Sequence, residues 1–165
     1  MSQENIDKQA LVTLIINELK QKLNQAISAA NEAHAAAVDD QSVAETQYDT
    51  LAIEASYLAE GQSRRVKELQ RAINDYHKLS LLNFNENSAI VLATLVQLSK
   101  DSQDHHWFFI GPASGGFRCQ LAQQHITVIT PESPMGLALI GKYQEDDIEV
   151  MLGCNKLTDY IAKIG

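Results

Sequence analysis

The sequence predicts an α+β fold in which an antiparallel helical hairpin precedes a small β-rich domain with one short helix. Three observations carry that expectation. All three prolines, Pro112, Pro131 and Pro134, lie in the second half, and only Gly61 of the eight glycines precedes Gly111. Because neither residue is favoured inside a long helix, the first 77 or so residues read as almost uninterrupted helix. Alanine is dense from Ala26 to Ala59, and after residue 80 the vocabulary turns β-branched and aromatic. The expected domains are therefore 1–80 and 81–165, with a hinge over Leu81 to Ser88.

In the first domain, Val12, Ile16, Leu19, Leu23, Ala26, Ala30, Ala33 and Ala37 step by four and three, as a coiled-coil seam does. Such a seam needs a partner. Tyr48, Ala52, Ala55, Ala59, Gln62, Val66, Leu69, Ile73 and Tyr76 repeat the spacing, with Leu51 and Leu58 on the flank. Two helices joined by a short link fold back antiparallel, and at 1.5 Å per residue each arm reaches roughly 50 Å. Alanine lines the distal seam and larger aliphatics the base, so a slim tip and a thicker base are expected.

In the second domain, Trp107 to Ile110, Ile126 to Thr130, Ile148 to Leu152 and Tyr160 to Ile164 read as strands. The β-branched content of Ala89 to Leu98 favours a further buried strand over a short helix. Ser133-Pro134 opens a short helix that Gly141 stops. The glycine-rich stretch Gly111 to Gly116 lacks the Gly-Lys-Ser/Thr ending of a phosphate loop and reads as a β-hairpin turn.

Composition bounds the function. The 165 residues are 45% apolar and 21% charged, enough for a packed core, and 13 basic against 21 acidic residues give a formal charge of −8. That balance opposes wrapping of duplex phosphates, so sequence-specific DNA binding is not expected. Leu11 to Ile16 is too short to span a bilayer and follows Glu4 and Asp7, so neither a signal nor a membrane span is read. Cys119 and Cys154 match no zinc or CxxC spacing, which points to free thiols in a reducing cytoplasm.

Charge is uneven along the hairpin. From Leu23 to Ser63 there is no Lys or Arg, yet Glu32, Asp39, Asp40, Glu45, Asp49, Glu54 and Glu60 are present. The turn is expected over Val38 to Glu45, which puts Asp39, Asp40 and Glu45 at the tip. Ser42-x-x-Glu45 is also a capping box, and capping alone accounts for those two residues individually. It does not account for 41 residues without a base. Hard carboxylate oxygens at such a tip suit Mg²⁺ shared with other donors, or a basic cavity. Beyond the acids, Arg64, Lys67 and Arg71 share a helix face, readable as a solvated basic face or a local phosphate contact. No Ser-His-Asp or Cys-His set is recognisable by spacing.

The run Ile126-Thr-Val-Ile-Thr130, the stretch Ser133-Pro-Met-Gly-Leu-Ala-Leu-Ile-Gly-Lys142 and the acidic turn before Ile148 resemble the C-terminal signature of the GreA/GreB transcript cleavage factors. Arg65-Val-Lys-Glu-Leu69 resembles the text on that family's second hairpin helix. The resemblance covers nearly the whole chain. It implies an FKBP-like C-terminal domain and a factor with no active site of its own. Such a factor docks on RNA polymerase, inserts its hairpin into the secondary channel and presents tip acids to the enzyme's Mg²⁺ near the nascent RNA 3′ end. It also implies polymerase docking by Ser133, Pro134, Met135 and Gly136, expected as an exposed turn with Met135 as an apolar contact or, alternatively, as a helix start with Met135 in the core.

The family tip reads Asp-x-x-Glu-Asn, whereas here Ser42 matches the Asp position, Glu45 the Glu and Thr46 the Asn. Asp39 or Asp40 would then substitute, and both cleavage stimulation and inhibition without cleavage stay open. The competing class is a coiled-coil adaptor or dimerisation module unrelated to polymerase. Prolyl isomerase activity follows only from the FKBP-like shape and has no recognisable aromatic pocket, Trp107 being the only indole.

Overall fold

The computed structural model describes residues 5–43 and 50–165, with side chains described for 5–36 and 57–165. It is α+β: a pair of long helices is followed by a six-stranded sheet with one short helix. Helix α1 is Lys8–Val43 and α2 is Thr50–His77. The chain divides into two compact units, one gathering Met1–Ile15 with Asp75–Gly165, the other Ile16–Asn74. The packing division thus crosses both helices, whereas the sequence placed it along the chain at residue 80.

In the Ile16–Asn74 unit, two helices joined by a few residues can share one unit only by running antiparallel. Their expected seam is visible in burial: Ile16, Leu19, Ala26 and Ala33 of α1 are buried, as are Ala59 and Leu69 of α2, while flanking Leu58 is exposed. Small residues let helix axes approach closely, which is what a run of alanines at seam positions permits.

In the other unit, Asp7 caps α1, its Oδ1 accepting from the backbone N–H of Gln9 at 2.9 Å and of Ala10 at 3.2 Å. Strands β1 (Leu95–Leu98), β2 (His106–Ile110), β3 (Arg118–Leu121), β4 (Gln124–Ile129), β5 (Asp147–Leu152) and β6 (Asn155–Ile164) form one sheet in the order β3-β4-β2-β1-β6-β5. Only β2 and β4 pair in parallel, with Phe109 opposite Val128. Helix α3 (Pro134–Leu139) closes one face, where Met135 and Leu139 join Val96, Ile110, Val150 and Ile161 in the core.

Several expectations need correction. Residues 111–117 are not a hairpin turn: β2 and β3 are not neighbours, and the loop carries the chain past β4 to the sheet's edge. The hairpin is instead β3–β4, turned at Ala122 and Gln123, both with positive φ as a type I′ turn requires. The Ala89 to Leu98 strand is confined to Leu95–Leu98, because Ala93 at φ 68° breaks the extended run and Thr94 Oγ1 accepts from Val91 N at 3.1 Å. The α3 boundaries agree with expectation: Ser133 caps its start, and Gly141, at φ 80°, follows its end.

Two polar groups are held in this unit's interior. Tyr76, 1% exposed, donates its hydroxyl to the Ala113 carbonyl at 2.5 Å, and burial raises its pKa well above the ordinary phenol value. Lys8, 8% exposed, donates Nζ to the Leu82 carbonyl at 2.7 Å and sits 4.4 Å from the Phe84 ring centroid. Burial lowers its pKa from 10.5 to about 8. The folded chain therefore releases a proton near pH 8 that the unfolded chain keeps to about 10.5, so this group's destabilising contribution is relieved as pH rises across that window. Tyr76 and Cys119, both raised by burial, act oppositely at alkaline pH. The difference in unfolding free energy between the parent and Lys8→Met isolates the lysine: it should change by up to about 3 kcal/mol between pH 7 and 10.5. A flat difference curve in urea titrations would show that Lys8 is solvated.

Candidate functional site

The acidic end of the helical pair differs from the sequence expectation. Helix α1 runs through Asp39, Asp40 and Ser42 to Val43, so the expected turn over Val38 to Glu45 begins too early. Ser42 is inside α1 and cannot cap α2, which begins at Thr50. The capping box is thereby excluded as the role of Ser42. Glu45 lies outside the described residues, as do the side chains of Asp39 and Asp40.

Helical position alone has an electrostatic consequence. The carbonyl end of a helix carries partial negative charge, which disfavours carboxylates there and favours Lys or Arg. Helix α1 has no basic residue in its last turn, and Asp39 and Asp40 stand at that end. Consecutive helical positions also project about 100° apart around the axis, so residues 39 and 40 do not share a face. A sequence selected for helix stability alone would place neither acid there.

On α2, Arg64 is 3.4 Å from Glu60 and Arg65 is 3.5 Å from Glu68, pairs so exposed that each contributes little to stability. Lys67 and Arg71 are exposed and make no ion pair among the described residues. Arg64, Lys67 and Arg71 thus share a solvent-facing stripe.

The segment Ser133–Gly136 is not an exposed turn. Ser133 accepts from Gly136 N at 3.1 Å as the cap of α3, Pro134 is exposed, and Met135 and Gly136 are buried. Met135 packs in the core, so it cannot be the adaptable surface contact. The exposed apolar residue on this helix is Leu137, at 71%. Exposed Ile140 follows it, and exposed Val91 and Leu92 lie next to that end because Gly141 N donates to Ile90 O at 2.8 Å and Ile90 N to Lys142 O at 2.9 Å. Sequence reading missed this apolar edge. The signal was the position of Leu137, two residues after core-facing Met135 and so on the opposite side of a short helix.

Histidine and carboxylate groups elsewhere make structural pairs. His106 Nδ1 is 3.6 Å from Asp101 and its Nε2 2.8 Å from Thr127 Oγ1. Asp159 accepts from Ser99 Oγ and, at 3.1 Å, from Lys100 N, holding the start of the 3-10 turn Ser99–Asp101. Partial burial pushes its carboxyl upward, but hydrogen bonds from Ser99, Tyr160 and Lys100, with the Lys100 charge, hold it below the ordinary carboxylate value. Among the described residues no group of three His, Cys, Asp or Glu could hold a metal ion, and no helix is long and apolar enough to cross a membrane.

No protein-family model matches the chain, and no curated protein matches it. Among solved structures, the chain is similar to GreA factor homolog 1 (Gfh1) of Thermus thermophilus. Identity is 19%, coverage is 91% of this chain and 94% of that one, and the TM-score is 0.37. A structure described as the transcription factor Gfh1 is 17% identical over 90% of this chain and 92% of that one, with TM-score 0.36. Gfh1 of Thermus aquaticus is 19% identical over 90% and 92%, with TM-score 0.33. Likeness at this level assigns no activity.

Proposed function

We propose that this chain is a transcription elongation factor that acts on RNA polymerase without an active site of its own. It presents the acidic end of its helical pair to the enzyme's catalytic Mg²⁺ through the secondary channel. One observation carries the reading: Asp39 and Asp40 stand at the carbonyl end of α1, where the helix dipole opposes them. Charges kept at a cost to the helix fit a role outside it. Oxygen ligands complete the shell of a Mg²⁺ that another protein already holds, and a helix of 36 residues, about 54 Å long, carries them near its far end. Because positions 39 and 40 diverge around α1, one of them would act together with Glu45.

In the same reading, Arg64, Lys67 and Arg71 offer charge to the nascent RNA 3′ end, and docking on the polymerase belongs to the α3 segment Ser133 to Gly136, with Leu137 supplying the exposed contact. The working compartment is the cytoplasm.

The test is RNA cleavage and nucleotide addition in a stalled, backtracked elongation complex. Asp39→Asn combined with Asp40→Asn should leave polymerase binding within about threefold yet reduce the factor's effect about tenfold or more, equivalent to about 1.4 kcal/mol of barrier. Glu45→Gln should give a similar or smaller loss. Leu137→Asp should weaken binding itself. Stimulated cleavage identifies a cleavage factor, and suppressed nucleotide addition an inhibitor. An effect that survives the double substitution, or no recovery of core polymerase at low salt, overturns the reading and leaves a coiled-coil adaptor.

A further inference from the structure

Strand β5 ends the sheet: among the described residues its only neighbour is β6, and none of its backbone groups is bonded to another segment. An unpaired edge is a template for another strand, and proteins commonly guard it with charged side chains, proline, bulges or a covering element. Here the guard covers half. Asp147 and Glu149 are exposed at the start, whereas Met151 and Leu152 are 58% and 50% exposed at the end. Asp147, Glu149 and Met151 alternate with buried Ile148 and Val150, so they share one face with their cross-strand partners Tyr160, Thr158 and Lys156.

From β5 across β6 to the 3-10 turn runs a groove of about 480 Å³ whose walls include Ser99, Lys100, Asp147, Glu149 and Tyr160. Its one lysine, Lys100, and the neighbouring Lys156 are both engaged. Lys100 Nζ donates to Thr158 O at 2.7 Å, and Lys156 Nζ sits 2.9 Å from Glu149. Asp147 has no ion pair among the described residues, and Tyr160, 47% exposed, is its cross-strand partner. A carboxylate beside an exposed aromatic face favours an ammonium or guanidinium group.

We infer that the β5 edge takes up an extended basic segment of a partner protein by strand addition, with its cationic side chains beside Glu149 and Asp147 and an apolar side chain on Met151. Main-chain bonds supply the binding, and alternate side chains supply the selectivity. For an antiparallel guest the pattern is apolar-x-basic-x-basic. This surface lies within the Asp75–Gly165 segment and does not depend on the polymerase reading.

The probe is the peptide Thr-Val-Thr-Lys-Thr-Lys-Thr, titrated into the isotope-labelled full chain. Amide shifts should concentrate in residues 147–152 and at Tyr160. Added salt should weaken binding, and Asp147→Asn combined with Glu149→Gln, two exposed changes that spare the core, should weaken it roughly tenfold. The same peptide with glutamate in place of lysine should not bind. Shifts centred elsewhere, equal response to both peptides, or indifference to the double substitution overturns the inference. Concentration-dependent broadening of the β5 amides without peptide would also overturn it, because a second copy of the chain would then be the occupant.

Discussion

Gly136→Ala is expected to destabilise the sheet-bearing unit by about 3 kcal/mol, lowering its thermal midpoint by about 10 °C. Gly136 is inside α3, where alanine would ordinarily be the better helix former. Here a Cβ would meet the Thr130 carbonyl oxygen at 1.9 Å and its carbon at 2.9 Å. That carbonyl cannot move cheaply, since it accepts from Ser133 N at 3.1 Å and from Ser133 Oγ at 2.7 Å. Relief of the clash must break the cap, worth about 1 kcal/mol, or lift α3 and with it Met135 and Leu139 from the core. Leu137→Ala, on the exposed side of the same helix, should change stability by less than about 0.5 kcal/mol. Equal urea midpoints for Gly136→Ala and the parent would show that α3 does not press on the Thr130 carbonyl. The segment that resembles the Gre signature is thus a helix start fitted to the backbone beneath it, and any docking role belongs to the residues that face outward.

What could be read in the sequence was periodic or local. The seam from Ile16 to Ala33 follows from spacing alone: Ile16, Leu19, Ala26 and Ala33 are buried, and Leu23 and Ala30 half-buried. Ser133 and Gly141 are local signals and bound α3 as expected. Strand β3 escaped notice because Arg118-Cys-Gln-Leu121 is a polar edge strand that alternates between exposed and half-buried positions, leaving little apolar signal. Two aspartates read as a turn place the end of α1 too early, although nothing from Val38 to Val43 is a glycine or proline and the helix continues through them. The loop over residues 111–117 was misread because strand order is a long-range property: the insertion of β4 between β2 and β3 leaves no trace in the loop itself. The β5 edge was hidden for the same reason, since Asp147 to Leu152 looks like any strand until its missing neighbour is seen.

The contact least accessible to sequence reading joins Tyr76 to the loop 35 residues beyond it, and it should carry the largest single-residue effect. Tyr76→Ala should cost about 4 kcal/mol, because the ring is 1% exposed and its removal leaves a large cavity. Tyr76→Phe keeps the ring and removes only the hydroxyl that donates to Ala113 O, so about 1 to 2 kcal/mol is expected, including the carbonyl left without its donor. Gly111 is the other half of this contact. A Cβ there would stand 2.2 Å from the Tyr76 hydroxyl oxygen, 3.0 Å from Val128 Cγ1 and 3.2 Å from Tyr76 Cζ. Gly111→Ala should therefore displace the phenol and cost about 3 kcal/mol. In the Tyr76→Phe, Gly111→Ala double variant the obstructing oxygen is gone and only the longer carbon contacts, at 3.0 and 3.2 Å, remain. Its loss should fall short of the sum of the singles by about 1 to 2 kcal/mol, a coupling that urea titrations of the four proteins can resolve. Strict additivity would mean that residue 111 accommodates a methyl group without disturbing Tyr76, and that the end of α2 is held by the ring's apolar burial alone.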